Sequence, residues 1–254
     1  YINALQWAVK ALETLPFSTR LIRDTHKILL QGVRGEKKQP GEFRTSQNWI
    51  GGNNINNALF IPPAHTYIAD LMGNIELFLH NEKIYFPELL KIALVHYQLE
   101  TIHPFLDGNG RIGRLIIPIY LVSKDILKKP ILYLSDFLEN NRRIYYEKLM
   151  IAREKNDINQ WFKFFLSGII ETSKKEINTF DGIMNLQKEN DIKIQQFGSR
   201  AANAQKIINY LYQKPVINAE TVSKITNISM PSSYKIINEM EKITNGLILI
   251  GNES

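Results

Sequence analysis

Apolar residues return every three or four positions along most of the chain, the spacing that makes one face of a helix. Ile2, Leu5, Val9 and Leu12 form such a stripe, stopped by Pro16. Ser18 can cap a second helix that turns Leu21, Ile22, Ile28 and Leu29 inward. The rhythm then fails over residues 32–66, where Gly32-Val33-Arg34-Gly35, Pro40-Gly41, Gly51-Gly52-Asn53-Asn54 and Pro62-Pro63 accumulate. An irregular stretch of that length inside a compact domain usually carries function. Within it, Ala58-Leu59-Phe60-Ile61 reads as a β-hairpin arm or an extended flap.

Helical spacing resumes over Ile68–His80, and again from Pro87, a favourable first-turn residue, to about Ile102. Leu89, Leu90, Ala93, Leu94, Tyr97 and Leu99 give the second of these an apolar circumference, so it is expected at the centre of the fold. Residues 103–110 break it with Pro104 and two glycines, and a further apolar helix follows over about Arg111–Val122. Two more helices fit Asn141–Arg153 and Asn159–Lys175. Residues 176–200 are polar and read as a linker or a long helix. Helical patterns over Ala202–Tyr212, Ala219–Thr226 and Met230–Lys242, with a strand candidate at Leu247–Ile250, resemble a helix-turn-helix or truncated winged helix. The expected class is mainly α, with a larger domain over 1–190 and a winged-helix-like domain over 191–254.

Composition narrows the picture. With 254 residues, 44% hydrophobic and 22% charged, the chain is long enough to bury a core without covalent staples. Cysteine is absent, which excludes a disulfide scaffold, a thiolate metal site and a cysteine nucleophile, and fits a reducing cytoplasm. No apolar run is long enough to cross a bilayer, so no membrane partner is expected. The net charge of +6 favours phosphate-bearing ligands, but residues 200–254 carry only +2 of it. Tight non-specific nucleic-acid binding is therefore not indicated.

The chemistry concentrates in His103-Pro104-Phe105-Leu106-Asp107-Gly108-Asn109-Gly110-Arg111-Ile112-Gly113-Arg114. A buried helix ends, a glycine-rich turn follows, and a second helix starts on the turn. Successive N–H groups in such a turn make an anion-binding nest, reinforced by the helix dipole. Arg111 and Arg114 lie three apart and can lean over one face. Asp107 is the single carboxylate, which suits Mg²⁺ when phosphates supply the other oxygens. His103 can accept a proton near neutral pH. Each part alone is commonplace; a base, a metal ligand, an anion nest and two arginines within twelve residues describe phosphoryl or nucleotidyl transfer.

This run is similar, at every specified position, to the Fic family signature His-x-Phe-x-(Asp/Glu)-Gly-Asn-Gly-Arg-x-x-Arg. Pro40-Gly41-Glu42-Phe43-Arg44 and Ser46-Gln47-Asn48-Trp49-Ile50-Gly51-Gly52 resemble the lead into the Fic flap. Leu132-Tyr133-Leu134-Ser135 and Asn141-Arg142 with Tyr145-Tyr146 resemble the segment after the motif. The resemblance covers roughly residues 16–170, and the tail looks like the winged-helix appendage of some bacterial Fic proteins. It implies a Fic helical bundle with a small β-hairpin flap, and transfer of AMP from ATP to a hydroxyl of a target protein, or of the chain itself. His103 would be the general base and Asp107 the Mg²⁺ ligand. Gly108, Asn109 and Gly110 would cradle phosphates, with Asn109 adding a side-chain donor. Arg111 and Arg114 would pair with the β- and γ-phosphates, and Ile112 and Gly113 complete the nucleotide-binding run. Phe105 would anchor the loop. Leu59, Phe60, Ile61 and Pro62 would form the flap that clamps an extended target segment. Tyr145 either lines the adenine pocket or is a core aromatic. His96 is expected as a helix-packing residue, and His26, His65 and His80 at the surface.

Many Fic proteins carry an inhibitory (Ser/Thr)-x-x-x-Glu-(Gly/Asn) helix whose glutamate meets the second motif arginine, here Arg114. Ser135-Asp136-Phe137-Leu138-Glu139-Asn140 fits that pattern, but in a segment where the family has no such helix. The expectation is coincidence here, with the inhibitory helix either lost or lying upstream of Tyr1. Alternatives to AMP transfer are phosphorylation, UMP transfer or removal of AMP on the same fold, or a nucleotide-sensing regulator whose tail binds DNA through Lys224, Lys235 and Ser232-Ser233. Homodimer formation stays open.

Overall fold

The computed structural model describes residues 1–32, 38–83, 85–244 and 249–250. It is mainly helical and divides into two compact units, Tyr1–Glu176 and Ile177–Ser254. In the first unit α1 (Ile2–Ala11) and α2 (Thr19–Leu29) pack together, with the Ser18 hydroxyl accepting the Leu21 N–H at 3.3 Å as the cap. Residues 33–35 of the glycine-rich stretch lie outside the described residues. The expected hairpin is reduced to one antiparallel bridge, Ile50 with Phe60. Gly51 and Gly52, both at positive φ, and an Asn54-capped turn of 3₁₀ helix at Ile55–Asn57 consume the arm between them.

Helix α3 (Ile68–Leu79) lies on α4 (Glu88–Ile102), which in turn packs along α5 (Asn109–Ser123). Both α4 and α5 are buried around most of their circumference, and Ile92, Leu99, Ile112, Leu115 and Ile116 are core residues. The short α6 (Ser135–Asn140), α7 (Arg142–Lys155) and α8 (Ile158–Ile194) follow. Trp161 of α8 is fully buried, donates its indole N–H to the Ala93 carbonyl at 2.8 Å and stacks on His96.

The division between the units falls inside α8, which runs through the polar stretch 176–194 without a break. The second unit has its own core, including Ile194, Phe197, Ile207, Ile208, Val222, Ile236 and Met240. Its helices are α9 (Ala201–Gln213), α10 (Ala219–Thr226) and α11 (Met230–Thr244). Asn218 caps α10 and Asn227, at φ +58°, closes it. The strands β1 (Val216–Ile217) and β2 (Leu249–Ile250) pair in parallel. Of the strand expected at 247–250, Leu247 and Ile248 lie outside the described residues.

Candidate functional site

The last residue of α4 sets the geometry. His103 caps the helix in the left-handed region, φ +50° and ψ +59°, which costs a non-glycine residue free energy. Surrounding bonds hold it there. Its N–H donates to the Leu99 carbonyl at 2.9 Å, and its own carbonyl accepts from Arg44 Nε at 3.0 Å and Asn48 Nδ2 at 3.4 Å. Arg44 is fully buried and also donates to the carbonyls of Ser46 and Pro63, so one guanidinium ties the flap segment to the end of α4. The His103 ring is mostly enclosed and its Nδ1 has no hydrogen-bond partner. Burial, with the Arg44 and Arg153 cations adding to it, lowers its pKa to about 4. The imidazole is therefore neutral at pH 7.

The turn that follows is braced from within. Gly108, at φ +80°, is the residue ahead of α5, and its N–H donates to Asp107 Oδ1 at 2.6 Å. Asp107 Oδ2 accepts from Arg111 Nη2 at 3.3 Å. The N–H groups of Asn109, Gly110 and Arg111 open the helix without intrahelical acceptors. Arg114 folds back over this end: its Nη1 lies 3.3 Å from where a Cβ on Gly110 would stand.

Two members of the run have other duties. The Asn109 side chain is buried, its Oδ1 accepting the Phe105 N–H at 2.9 Å and its Nδ2 donating to the Phe105 carbonyl at 2.8 Å. It braces the turn, so the expected side-chain donor is already used and only its backbone faces a ligand. Ile112 is a core residue whose N–H is bonded to the Gly108 carbonyl at 2.9 Å. Gly113 is buried against Glu100: an added Cβ would meet the Glu100 Oε1 at 2.5 Å.

A cavity of about 290 Å³ opens between the flap arm and α7. Ile50, Gly51, Leu59 and Phe60 line one side, Arg142, Tyr146, Glu147, Leu149, Met150 and Arg153 another, with Glu100 from α4. Arg153 stacks over the Phe60 ring at 3.9 Å and its Nε donates to the Thr101 hydroxyl at 3.1 Å. Glu100 Oε1 and Arg153 Nη2 are buried without partners, as are His103 Nδ1 and Asn48 Oδ1 nearby in the same unit. Buried polar atoms are nearly always paired in folded proteins, so these four leave hydrogen-bonding capacity for water or a ligand. Burial raises the Glu100 carboxyl to about 7, against the lowering pull of Arg114 and Arg153.

The Tyr-Tyr pair divides opposite to the pocket expectation. Tyr145 is 5% exposed, its hydroxyl bonded to His96 Nε2 at 3.1 Å, while Tyr146 lines the cavity. His96 donates from Nδ1 to the Gly113 carbonyl at 2.8 Å and is the expected packing residue, its pKa lowered to about 4 by burial. Replacing Tyr145 by phenylalanine is expected to cost about 1 kcal/mol of stability in thermal melts, because His96 Nε2 is left unpaired. Tyr146→Ala should instead weaken nucleotide binding severalfold by calorimetry.

In the flap, Leu59 at the cavity edge and Ile61 are exposed, while Phe60 lies under Arg153 and Pro62 is buried. Glu139 of the formal inhibitory pattern is exposed and pairs with Arg142 at 3.7 Å, so it does not act on Arg114 in this arrangement. His26 corrects the sequence reading: it is fully buried, and its ring joins the Gly41 N–H to the Asp107 carbonyl. The signal was available, since His26 shares the stripe of Ile22 and Leu29 on α2. His80 also bonds inward, to the Phe17 carbonyl, whereas His65 is exposed.

The helix hairpin and its braced turn fall within residues 16–121, which match the model of the Fic/DOC family. The chain is 33% identical over 144 residues to a "Protein adenylyltransferase Fic" of Aedes aegypti, covering 56% of this chain and 26% of that protein. A protein of the same name from Drosophila willistoni is 32% identical over 167 residues, covering 65% and 29%. The chain therefore spans under a third of the length of the curated relatives it matches. In fold it resembles a Fic family protein from Desulfovibrio desulfuricans G20, with a TM-score of 0.60 at 18% identity over 95% of this chain and 67% of that one. A Fic domain containing signaling protein from Bacteroides thetaiotaomicron gives a TM-score of 0.51 at 20% identity, covering 66% of each chain.

Proposed function

We propose that the protein is a protein adenylyltransferase, moving AMP from ATP to a hydroxyl side chain of a target protein. The observation that carries this reading is the neutral, enclosed His103 at the foot of a preformed anion-binding turn. His103 accepts the proton of the attacking hydroxyl. The N–H groups of Asn109, Gly110 and Arg111 bond the phosphate oxygens, and Arg111 and Arg114 neutralise charge on the leaving pyrophosphate. The base enters the cavity beside Tyr146 and Phe60. Leu59 and Ile61 flank a main-chain edge on which an extended target segment pairs.

Asp107 fits Mg²⁺ in chemistry: its carboxylate is half-exposed and, among the described residues, accepts hydrogen bonds from Gly108 and Arg111. Among the described residues no group of three or more His, Asp or Glu gathers to hold a metal. Triphosphate oxygens and water would complete the coordination. When bound, Mg²⁺ would supply charge neutralisation of the phosphates.

We place the winged-helix reading on the second unit, whose three helices and parallel strand pair support it. DNA binding is the less favoured role, since Lys224 already pairs with Glu220 at 2.6 Å. Among the described residues no helix is long and apolar enough to cross a membrane. A cytoplasmic location is the reading with which the absence of cysteine is compatible.

Intact-mass analysis with ATP, UTP and pre-modified protein separates AMP transfer from UMP transfer, phosphorylation and AMP removal. A gain of one AMP, dependent on His103, is the expected result. The pH profile is a further check. Because the imidazole is the base only when neutral, kcat/KM should stay level from pH 8 to about 5 and fall below the His103 pKa of about 4. Running Glu100→Gln in parallel removes the carboxyl that titrates near 7. An acid limb centred near 6.5 in that variant would contradict an enclosed, neutral base.

A further inference from the structure

We propose that His26, which lies on α2 and outside the signature, is a positioning residue of the transfer site. Its ring fixes the backbone from which Asp107 and the anion-binding turn project. The proposal rests on the transfer reading given above.

Three contacts converge on one side chain. The Nδ1 accepts the Gly41 N–H at 2.9 Å, so the proton sits on Nε2, which donates to the Asp107 carbonyl at 2.8 Å. The ring lies on Phe105 with centroids 3.8 Å apart and planes 11° from parallel. A Cβ on Gly108 would come within 3.1 Å of Nε2, so the turn is moulded against the imidazole. Gly41 is itself held: its carbonyl accepts from Arg23 Nε at 2.8 Å, and Arg23 pairs with Glu42.

The Asp107 carbonyl precedes the Gly108 N–H in the same peptide unit. Anchoring that carbonyl fixes the plane of the peptide whose N–H holds Asp107 Oδ1, and thereby the direction of the carboxylate. The same plane sets where the following N–H groups point. His26 touches no reacting atom; it acts through Asp107 and Gly108. Groups placed behind a ligand in this way often change affinity or rate 10- to 100-fold when removed.

Two variants of the full chain separate this bridge from packing. His26→Gln keeps an acceptor for Gly41 and a donor for Asp107 but loses the flat ring. His26→Phe keeps a ring on Phe105 and loses both hydrogen bonds. We expect kcat/KM for the phenylalanine variant to fall about 30-fold and its Mg²⁺ requirement to rise about 10-fold, with the glutamine variant within about 5-fold of wild type. Calorimetry of ATP binding across Mg²⁺ concentrations should show the same order, in proteins whose thermal melts are cooperative. Equal or better performance by phenylalanine overturns the proposal, because packing would then suffice. If the phenylalanine variant does not fold, a folded glutamine variant with the 30-fold loss overturns it alone. Should the wild type transfer no nucleotide, the transfer reading fails, and the calorimetric contrast still decides the role of His26.

Discussion

Replacing His103 by alanine is expected to lower AMP transfer by about 10³-fold while leaving the affinity for ATP with Mg²⁺ close to wild type. The imidazole is not a phosphate ligand in the proposed arrangement. The phosphates rest on the turn and the arginines, which the substitution does not touch. A second variant guards the test. Alanine is strained at φ +50°, whereas asparagine enters the left-handed region readily. His103→Asn should therefore hold the end of α4 in place and still lose transfer. Radiolabel transfer and fluorescent-nucleotide titration together decide the matter. A parallel loss of binding and transfer in both variants would show that His103 holds the nucleotide rather than taking a proton.

The second large effect is on stability and concerns Arg44. Its guanidinium serves the carbonyls of His103, Ser46 and Pro63, at 3.0, 2.9 and 2.5 Å, from a position 1% exposed. Methionine can fill much of the volume but donates nothing, so buried carbonyls lose a charged donor together. The expected cost is about 4 kcal/mol, a fall of roughly 10 °C in Tm for a unit of this size. Arg44→Lys should recover only part of this, since one ammonium cannot reach three carbonyls splayed around a fork. A methionine variant melting within about 2 °C of wild type would mean that water replaces the guanidinium.

Much of the site was legible because its parts are contiguous. The end of α4, the glycine turn and the start of α5 appear in the chain as a break in an apolar rhythm, and the two arginines follow from helical spacing. What escaped was tertiary. His26 stands 81 positions from Asp107, and only its place on the apolar stripe of α2 betrays that it points inward. The tyrosine pair was decidable by the same reasoning. Neighbours on a helix point about 100° apart, and Tyr145 shares its face with buried Leu149 and Ala152, so Tyr146 must face elsewhere. Asn109 looked like a ligand because its amide is polar and sits in the turn. The structure spends that amide on Phe105, which no local pattern reveals. The polar stretch after residue 175 read as a linker or a long helix; it holds no proline, and the helix continues to Ile194.

The indole of Trp161 is sealed, 0% exposed, and lies flat against an imidazole, while Trp49, beside the flap bridge, is 41% exposed. With half-buried Trp7 between these extremes, the three indoles of the chain span surroundings from sealed to solvated. Excitation at the red edge of absorption favours the solvated indole and follows the flap as nucleotide or peptide arrives. A red shift of the sealed indole's emission, as it meets water, reports melting of the helices that carry the site.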